Sequence, residues 1–245
     1  MAKIGIAMAT FNGEKYIERQ LESIRNQTRK PDEVIISDDC SCDDTINIVK
    51  RFIEKNKEFN WRIIRNEENV GYIINFRRAL AEIQSDIIFL CDQDDVWMND
   101  KLERMVSIFE ENESIIGLAS SFSLIDGDDR EIIRSKGLFK SYNEIIPFKV
   151  KQGNKAIITS KEILRSNISP GCTTAFRSVA VMQYLSATNV DVVPHDWALC
   201  IISECIGKLA FWNVPLIQYR IHESNAIGMP VRLNTIVQRS GVLNK

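Results

Sequence analysis

Short apolar runs alternate with stretches of helical period through the first hundred residues, and that alternation restricts the fold more than any other feature. Residues 4–9 are apolar, Thr10-Phe11-Asn12-Gly13 breaks the run, and residues 14–27 carry Tyr16, Ile17, Leu21 and Ile24 at helical spacing. Residues 33–37, 61–65 and 86–91 read as three further strands. Asp43-Asp44-Thr45 supplies acidic and capping side chains to a helix with Ile46, Val49, Phe52 and Ile53 behind it. Asn69-Val70-Gly71 is a turn, and residues 72–84 then place Phe76, Leu80 and Ile83 on one side of a helix. Strands that alternate with crossover helices build parallel sheets. The expectation is an α/β chain with a Rossmann-like, mostly parallel central sheet flanked by helices.

Two of these strands end in carboxylates. Ile87-Ile88-Phe89-Leu90-Cys91 runs into Asp92-Gln93-Asp94-Asp95, and Val34-Ile35-Ile36-Ser37 runs into Asp38-Asp39. Carboxylates this close repel one another, so a site that keeps them ionised supplies a cation. Hard divalent ions such as Mg²⁺ take oxygen ligands and share them with phosphates. A solvated acidic turn is the alternative for the first run taken alone. Two such strand ends suggest one crevice, because open α/β sheets bind ligands beyond the carboxyl ends of their strands.

A chain of 245 residues suits one large domain, or a domain with a sub-lobe. Its net charge of −2 gives no reason to expect nucleic acid or an anionic membrane as partner. Met1-Ala2-Lys3 leads straight into a strand pattern, and no apolar run reaches the roughly 18 residues of a transmembrane helix, so a cytoplasmic protein is expected. Cys40-Ser41-Cys42 is spaced too tightly for a zinc pair, and the scattered cysteines are expected to be reduced.

The second half is less regular. Residues 101–112 should be a helix, 115–124 a strand, and Asp126-Gly127-Asp128-Asp129 a hairpin turn. Residues 132–164 show no sustained period. Pro170-Gly171-Cys172 is a turn before a strand-like piece. Pro194-His195-Asp196-Trp197 precedes a helical run to Ile206, which Gly207 would close. Residues 209–212 and 215–219 read as two short strands, and the tail from Met229 is weakly amphipathic.

Six motifs in order give the chain a resemblance to the family-2 glycosyltransferases of GT-A fold, spanning roughly residues 4–228. They are Ala9-Thr10-Phe11-Asn12-Gly13 with Ile24-Arg25-Asn26-Gln27-Thr28; Ile36-Ser37-Asp38-Asp39-Cys40-Ser41-Cys42-Asp43; Asn69-Val70-Gly71; Asp92-Gln93-Asp94-Asp95; His195-Asp196-Trp197; and Tyr219-Arg220-Ile221-His222-Glu223-Ser224-Asn225-Ala226-Ile227-Gly228. Cys40 stands where the family usually has glycine. The last two motifs are similar to the bacterial rhamnosyltransferase-like branch.

The resemblance implies a GT-A domain over residues 1–228, with a nucleotide-binding half to about residue 100, a smaller mixed acceptor-side lobe from 101, and a tail over 229–245. It implies an inverting transferase that moves a sugar, with dTDP-rhamnose the leading donor and a UDP-sugar the alternative, to a glycan or lipid-linked acceptor. Asp94 would be a direct ligand of Mg²⁺ or Mn²⁺, Asp92 would reach the ribose or the metal, and Asp95 would stand behind them or serve as an acid at a helix N-terminus. Asp196 matches the catalytic base, with an N-cap of the following helix as the alternative, and one residue could do both. His222 would complete metal or diphosphate binding, and Arg220 would meet either a phosphate or a carboxylate.

Thr10, Asn12, Asp38 and Asp39 would line the base and ribose, with Asn69 and Gly71 near the donor; each has an alternative in turn or cap chemistry. Trp197 is the tryptophan chosen to stack on an acceptor sugar, against the commoner fate of core packing. A peripheral membrane contact or a homodimer through the tail stays open. A strand ending in Asp92-Gln93-Asp94 also mimics the phosphatases of the haloacid dehalogenase family, and a non-catalytic nucleotide-sugar binding module is the third alternative.

Overall fold

The structure, a computed structural model, describes residues 1–57, 60–134, 149–188, 192–223 and 236–237. Its first half runs β1 (Ile4–Thr10), α1 (Ile17–Arg25), β2 (Glu33–Asp38), α2 (Thr45–Lys55), β3 (Trp61–Arg65), α3 (Tyr72–Glu82), β4 (Ile87–Cys91) and β5 (Val96–Trp97). There follow α4 (Lys101–Glu111), β6 (Ile115–Ile125), β7 (Ile133–Arg134), β8 (Lys155–Ile158) and α5 (Ser160–Ile163). The rest is a 3₁₀ turn (Gly171–Thr173), β9 (Thr174–Arg177), α6 (Ser178–Ser186), α7 (His195–Ile206), β10 (Lys208–Arg220) and β11 (Ile236–Val237).

Among the described residues the main sheet has nine strands, in the order β3-β2-β1-β4-β9-β6-β10-β5, with β8 also paired to β10. β1, β2, β3 and β4 are mutually parallel, and β10 is parallel to β6. β9 lies antiparallel between β4 and β6, so those two strands point the same way. Six strands therefore present their carboxyl ends at one edge, as an open α/β sheet requires of a ligand crevice. β9 comes from the second half of the chain yet sits beside β4 of the first, so one sheet runs through both halves.

Side chains alternate across this sheet. Ile4, Ile6 and Met8 of β1, Val34 and Ile36 of β2, and Ile87, Phe89 and Cys91 of β4 pack with Ile17, Leu21 and Ile24 of α1, Val49 and Phe52 of α2, and Leu102, Met105 and Phe109 of α4. Ala7, Ile35, Ile88 and Leu90 face the other layer, with Phe76, Ala79 and Leu80 of α3 and Leu199 and Cys200 of α7. Each fully buried side chain of leucine size contributes about 1.5–3 kcal/mol. Burial on both faces explains why these strands read as continuous apolar runs.

The second half departs from its sequence pattern in three places. Residues 209–212 and 215–219 form one strand, β10, with register shifts against β6 between Trp212 and Pro215 and between Pro215 and Gln218. Proline cannot donate to the ladder, and the bulge absorbs it without ending the strand. α6 had no periodic signal, because its apolar residues point both inward (Val181, Tyr184) and outward (Val179, Met182). α7 begins at His195, with Pro194 at the cap position, so Asp196 lies inside the first turn and is not the N-cap.

β11 pairs antiparallel with β7. The motif residues from Ser224 and the rest of the 229–245 tail lie outside the described residues. Among the described residues, no helix is long and apolar enough to cross a membrane.

Candidate active site

At the carboxyl ends of β1 and β2, a closed hydrogen-bond network builds the first wall of the crevice. Thr10 Oγ1 donates to Asp38 Oδ1 at 3.0 Å, and the Ser41 amide donates to Asp38 Oδ2 at 2.9 Å. Ser41 Oγ donates to Asp38 Oδ1, and Arg65 Nε lies 3.7 Å from Asp38 Oδ2. Asp38 is thus fully buried and occupied, and it shapes the turn that follows. Cys40 adopts φ +62°, the left-handed conformation that glycine usually supplies, so the turn keeps its path despite the cysteine. Asn12, exposed and at φ +46°, accepts from the Cys42 amide and donates its own amide to Ser41 Oγ, both at 2.9 Å.

Asp39 carries the second network. Its carboxylate accepts from Asn66 Nδ2 and the Val70 amide at 2.8 Å and from the Gly71 amide at 2.9 Å. Asn69 Oδ1 also takes the Gly71 amide, at 3.1 Å. Asn75 Oδ1 accepts from Asn66, and Asn75 Nδ2 donates to the Ser37 carbonyl, so two buried asparagines tie α3 to the strand end. Gly71 has φ +83° and ψ 157°, a region open essentially to glycine alone, while a Cβ there would meet nothing within 4 Å. Backbone conformation, and not crowding, demands this glycine. Gly71→Ala should therefore cost about 1–3 kcal/mol, read as a lowered midpoint in thermal unfolding. An unchanged midpoint would mean that the turn relaxes freely.

The carboxylate run after β4 folds into a tight knot. Asp94 Oδ2 lies 2.8 Å from His222 Nε2, and the His222 ring packs on Tyr16 at 4.8 Å between centroids. Asp92, Asp95 and Cys172 bring one ligand atom each within 4.8 Å of one another. Burial first, then repulsion from Asp95, Asp94 and Asp196, holds the Asp92 carboxyl well above the usual range. Burial and the Asp94 charge raise Asp95 to about 7. Asp95 Oδ1 accepts the Arg220 amide at 2.9 Å, whereas Oδ2 is buried with only the Cys172 thiol beside it.

That buried oxygen and the crowded carboxylates fit a divalent cation, which would draw the acids into their ionised form. Mg²⁺ and Mn²⁺ take oxygen and imidazole ligands, a chemistry offered by the Asp92–Asp95 carboxylates and, as a separate pair, by Asp94 with His222. Cys172 does not suit such an ion. Burial pushes its thiol well up, and a protonated thiol beside carboxylates is a hydrogen-bond donor.

Arg220 is only 1% exposed and anchors this knot. Nε donates to the Asp94 carbonyl at 2.6 Å and Nη1 to the Asp126 carbonyl at 2.9 Å, while Nη2 pairs with Asp129. Its guanidinium also lies 4.6 Å from the Tyr16 ring centre. Of the two partners expected from sequence, the structure pairs it with a carboxylate, in the hairpin turn after β6.

Asp196 lies in the first turn of α7. It is 8% exposed, Asn167 Nδ2 donates to its Oδ2 at 2.8 Å, and the Trp197 amide reaches its Oδ1 at 2.8 Å. Its charge is among those that raise Asp92, which puts Asp196 and the carboxylates after β4 in one electrostatic environment. His195 beside it is buried and stacked on Phe76 at 3.9 Å, and burial lowers it to about 4, so it is a neutral ring near pH 7. Trp197 is turned to the second core layer and donates Nε1 to the Ile163 carbonyl at 2.7 Å, which ties α7 to α5.

Several site residues had no signal in the sequence. Asn66, Asn75 and Asn167 are ordinary polar residues until the fold buries them. Gln93 pairs both backbone groups of Phe11, its Oε1 taking the amide and its Nε2 the carbonyl at 2.9 Å each, and so fastens the acidic run to the β1 turn. Cys172 was visible only as part of a Pro-Gly-Cys turn.

Known proteins share this architecture at low sequence identity. The family described as "Glycosyl transferase family 2" matches residues 5–180. An uncharacterized glycosyltransferase of Nostoc, alr2836, is 25% identical over 232 residues, covering 91% of this chain and 66% of its own length. The dTDP-rhamnosyl transferase RfbG of Shigella flexneri is 24% identical over 253 residues, 96% of this chain and 78% of its own.

Among solved structures, TarS 1-349 of S. aureus in complex with UDP superposes with a TM-score of 0.65 at 18% identity, over 89% of this chain and 60% of that one. The mannosyltransferase PcManGT of Pyrobaculum calidifontis, in complex with GDP-Man and Mn²⁺, gives 0.61 at 16%, over 87% and 55%. The chain thus spans about two thirds or less of the length of several of these proteins. A family match over 176 of 245 residues (5–180), set on a GT-A sheet, makes this chain a member of glycosyl transferase family 2 and a glycosyltransferase.

Proposed function

We propose that this chain is an inverting, metal-dependent glycosyltransferase that moves a sugar from a nucleoside diphosphate sugar to a glycan or lipid-linked acceptor of cell-surface polysaccharide. The observation that carries this is the convergence of Asp92, Asp94 and Asp95 with Asp196 at the carboxyl edge of one sheet. An inverting transfer needs charge stabilisation on the departing diphosphate and a base on the opposite face of the sugar. Asp196 takes the proton from the attacking hydroxyl, at a position shielded from solvent. Asn167 and the Trp197 amide hold that carboxylate in one orientation.

Asp94 and His222 would hold the cation, with Asp92 and Asp95 behind them. When bound, Mg²⁺ or Mn²⁺ acts as a Lewis acid toward the diphosphate oxygens. Asn12, Asn69 and Gly71, held by the networks of Asp38 and Asp39, would meet the nucleotide, with Thr10 bracing Asp38 behind them. The likeness to PcManGT, crystallised with Mn²⁺, supports the metal.

The similarity to RfbG favours dTDP-rhamnose as donor, and the fold shared with UDP-bound TarS keeps a UDP-sugar as the second candidate. A lipid-linked acceptor would bring the protein to the inner face of the membrane. The glycosyltransferase family leaves no place for a dehalogenase-like phosphatase, and a turnover assay separates an enzyme from a binding module. The donor is tested by thermal unfolding with dTDP, UDP and their sugars, with and without Mn²⁺. A nucleotide that binds only the native state at about 100 times its Kd adds about 2.7 kcal/mol, a rise of several degrees. If neither dTDP nor UDP stabilises the protein in either condition, the proposal is wrong.

A further inference from the structure

Lys101 opens α4 and is 0% exposed, although nothing in the catalytic scheme so far uses it. Its Nζ donates to the Cys172 carbonyl at 2.6 Å and lies 3.9 Å from the Trp97 ring centre. Burial lowers the ammonium to about 8, against the opposing pull of Asp95 and Asp92 among its neighbours. An ammonium taken out of water loses its hydration and regains only part of it from one carbonyl and one ring. A methionine of similar length would fill the same space with no charge to desolvate. Packing alone therefore does not account for a lysine here.

The carbonyl it holds belongs to the 3₁₀ turn, and that turn stands between the two halves of the site. Gly171 lies so close to Asp196 that a Cβ on it would be 3.1 Å from the Asp196 Cβ. Cys172 puts its sulfur within 4.8 Å of the Asp92 and Asp95 oxygens. On its far side, Ser120 of β6 donates to the Thr173 carbonyl at 3.4 Å. A shift of this turn moves Asp196 and the metal-side carboxylates relative to each other. Lys101 reaches it from the segment that directly follows the acidic run.

We propose that Lys101 is a positioning residue, whose ammonium pins the Gly171–Thr173 turn between the Asp92–Asp95 carboxylates and Asp196 and so sets the distance across which transfer occurs. This rests on the assignment of Asp196 as base and of the acidic run as the diphosphate side. A misplacement of about 1 Å costs up to about 10²-fold in rate while leaving ground-state binding largely intact.

The test compares Lys101→Met, which keeps the length and loses the donor, with Lys101→Gln, which keeps a neutral donor. Binding of dTDP and of UDP, each with Mn²⁺, is measured beside kcat and KM for release of nucleoside diphosphate from the donor. The expected result is nucleotide affinity and donor KM within about threefold of wild type. With them, kcat should fall at least tenfold in Lys101→Met and by less in Lys101→Gln, within the range a misplaced base allows. A Lys101→Met enzyme with kcat within twofold of wild type overturns the proposal. So does one whose nucleotide affinity falls in step with its rate, because the whole site would then have loosened. Should Lys101→Met fail to fold, Lys101→Gln decides by the same two readings. Wild-type protein that releases no nucleoside diphosphate from any donor would sink the proposed function itself, a result distinct from both.

Discussion

Asp196→Asn is expected to lower the rate of sugar transfer by about 10²–10⁴-fold, the usual contribution of a general base, while donor binding stays within about threefold of wild type. Asparagine has the same shape, and its carbonyl can still accept from Asn167 or from the Trp197 amide, as the carboxylate does. It cannot take a proton from the acceptor. The fold should survive, because Asp196 sits in the first turn of α7 and not at its cap. What is lost there is the interaction of a charge with the helix N-terminus, about 0.3–1 kcal/mol. Thermal unfolding in the absence of ligand checks that point, and nucleotide binding measured on the same preparation separates chemistry from affinity. Retention of more than about a tenth of the wild-type rate would remove Asp196 from the role of base.

Asp94→Ala should lose the divalent-ion dependence and most of the activity, about 10²-fold or more, since a Lewis acid contributes several kcal/mol to such a transition state. The substitution deletes the carboxylate that faces His222 at 2.8 Å. It spares the backbone carbonyl of the same residue, to which Arg220 Nε donates, so the loop keeps its anchor. The ligand-free thermal midpoint should therefore change little, and stabilisation by Mn²⁺ with nucleotide should disappear. Titration with Mn²⁺ at fixed nucleotide measures this directly. Unchanged metal affinity in Asp94→Ala, or undiminished wild-type turnover in excess chelator, would falsify the assignment.

How far these residues could be read in advance depended on whether their role was local. The apolar runs at β1, β2 and β4, and the spacing of Ile17, Leu21 and Ile24, declared a parallel α/β sheet because a strand buried on both faces and an amphipathic helix each carry their period in the chain itself. The acidic strand ends were equally plain, for a carboxylate cluster is a feature of consecutive residues. Gly71 could be seen as a turn, but only its dihedral angles show why no other residue suits it.

Long-range partners could not be read in this way. Arg220 had two equal candidates in the sequence, and the fold paired it with Asp129, more than ninety positions away in the chain, in a turn that β6 delivers beside it. β9 gave only a short apolar piece, and no local rule says that it will enter the sheet antiparallel between β4 and β6. That insertion carries the Gly171–Thr173 turn to the Asp92 and Asp95 carboxylates and brings Asp196 into their field.

Family, α/β alternation and the chemical identity of the candidate groups are legible along the chain, because these are properties of neighbouring residues and of their order. Only the tertiary structure decided which of those groups share a crevice, and that buried partners such as Asn66, Asn167, Cys172 and Lys101 belong to it. Desolvation and close pairing exist only once distant segments are packed together.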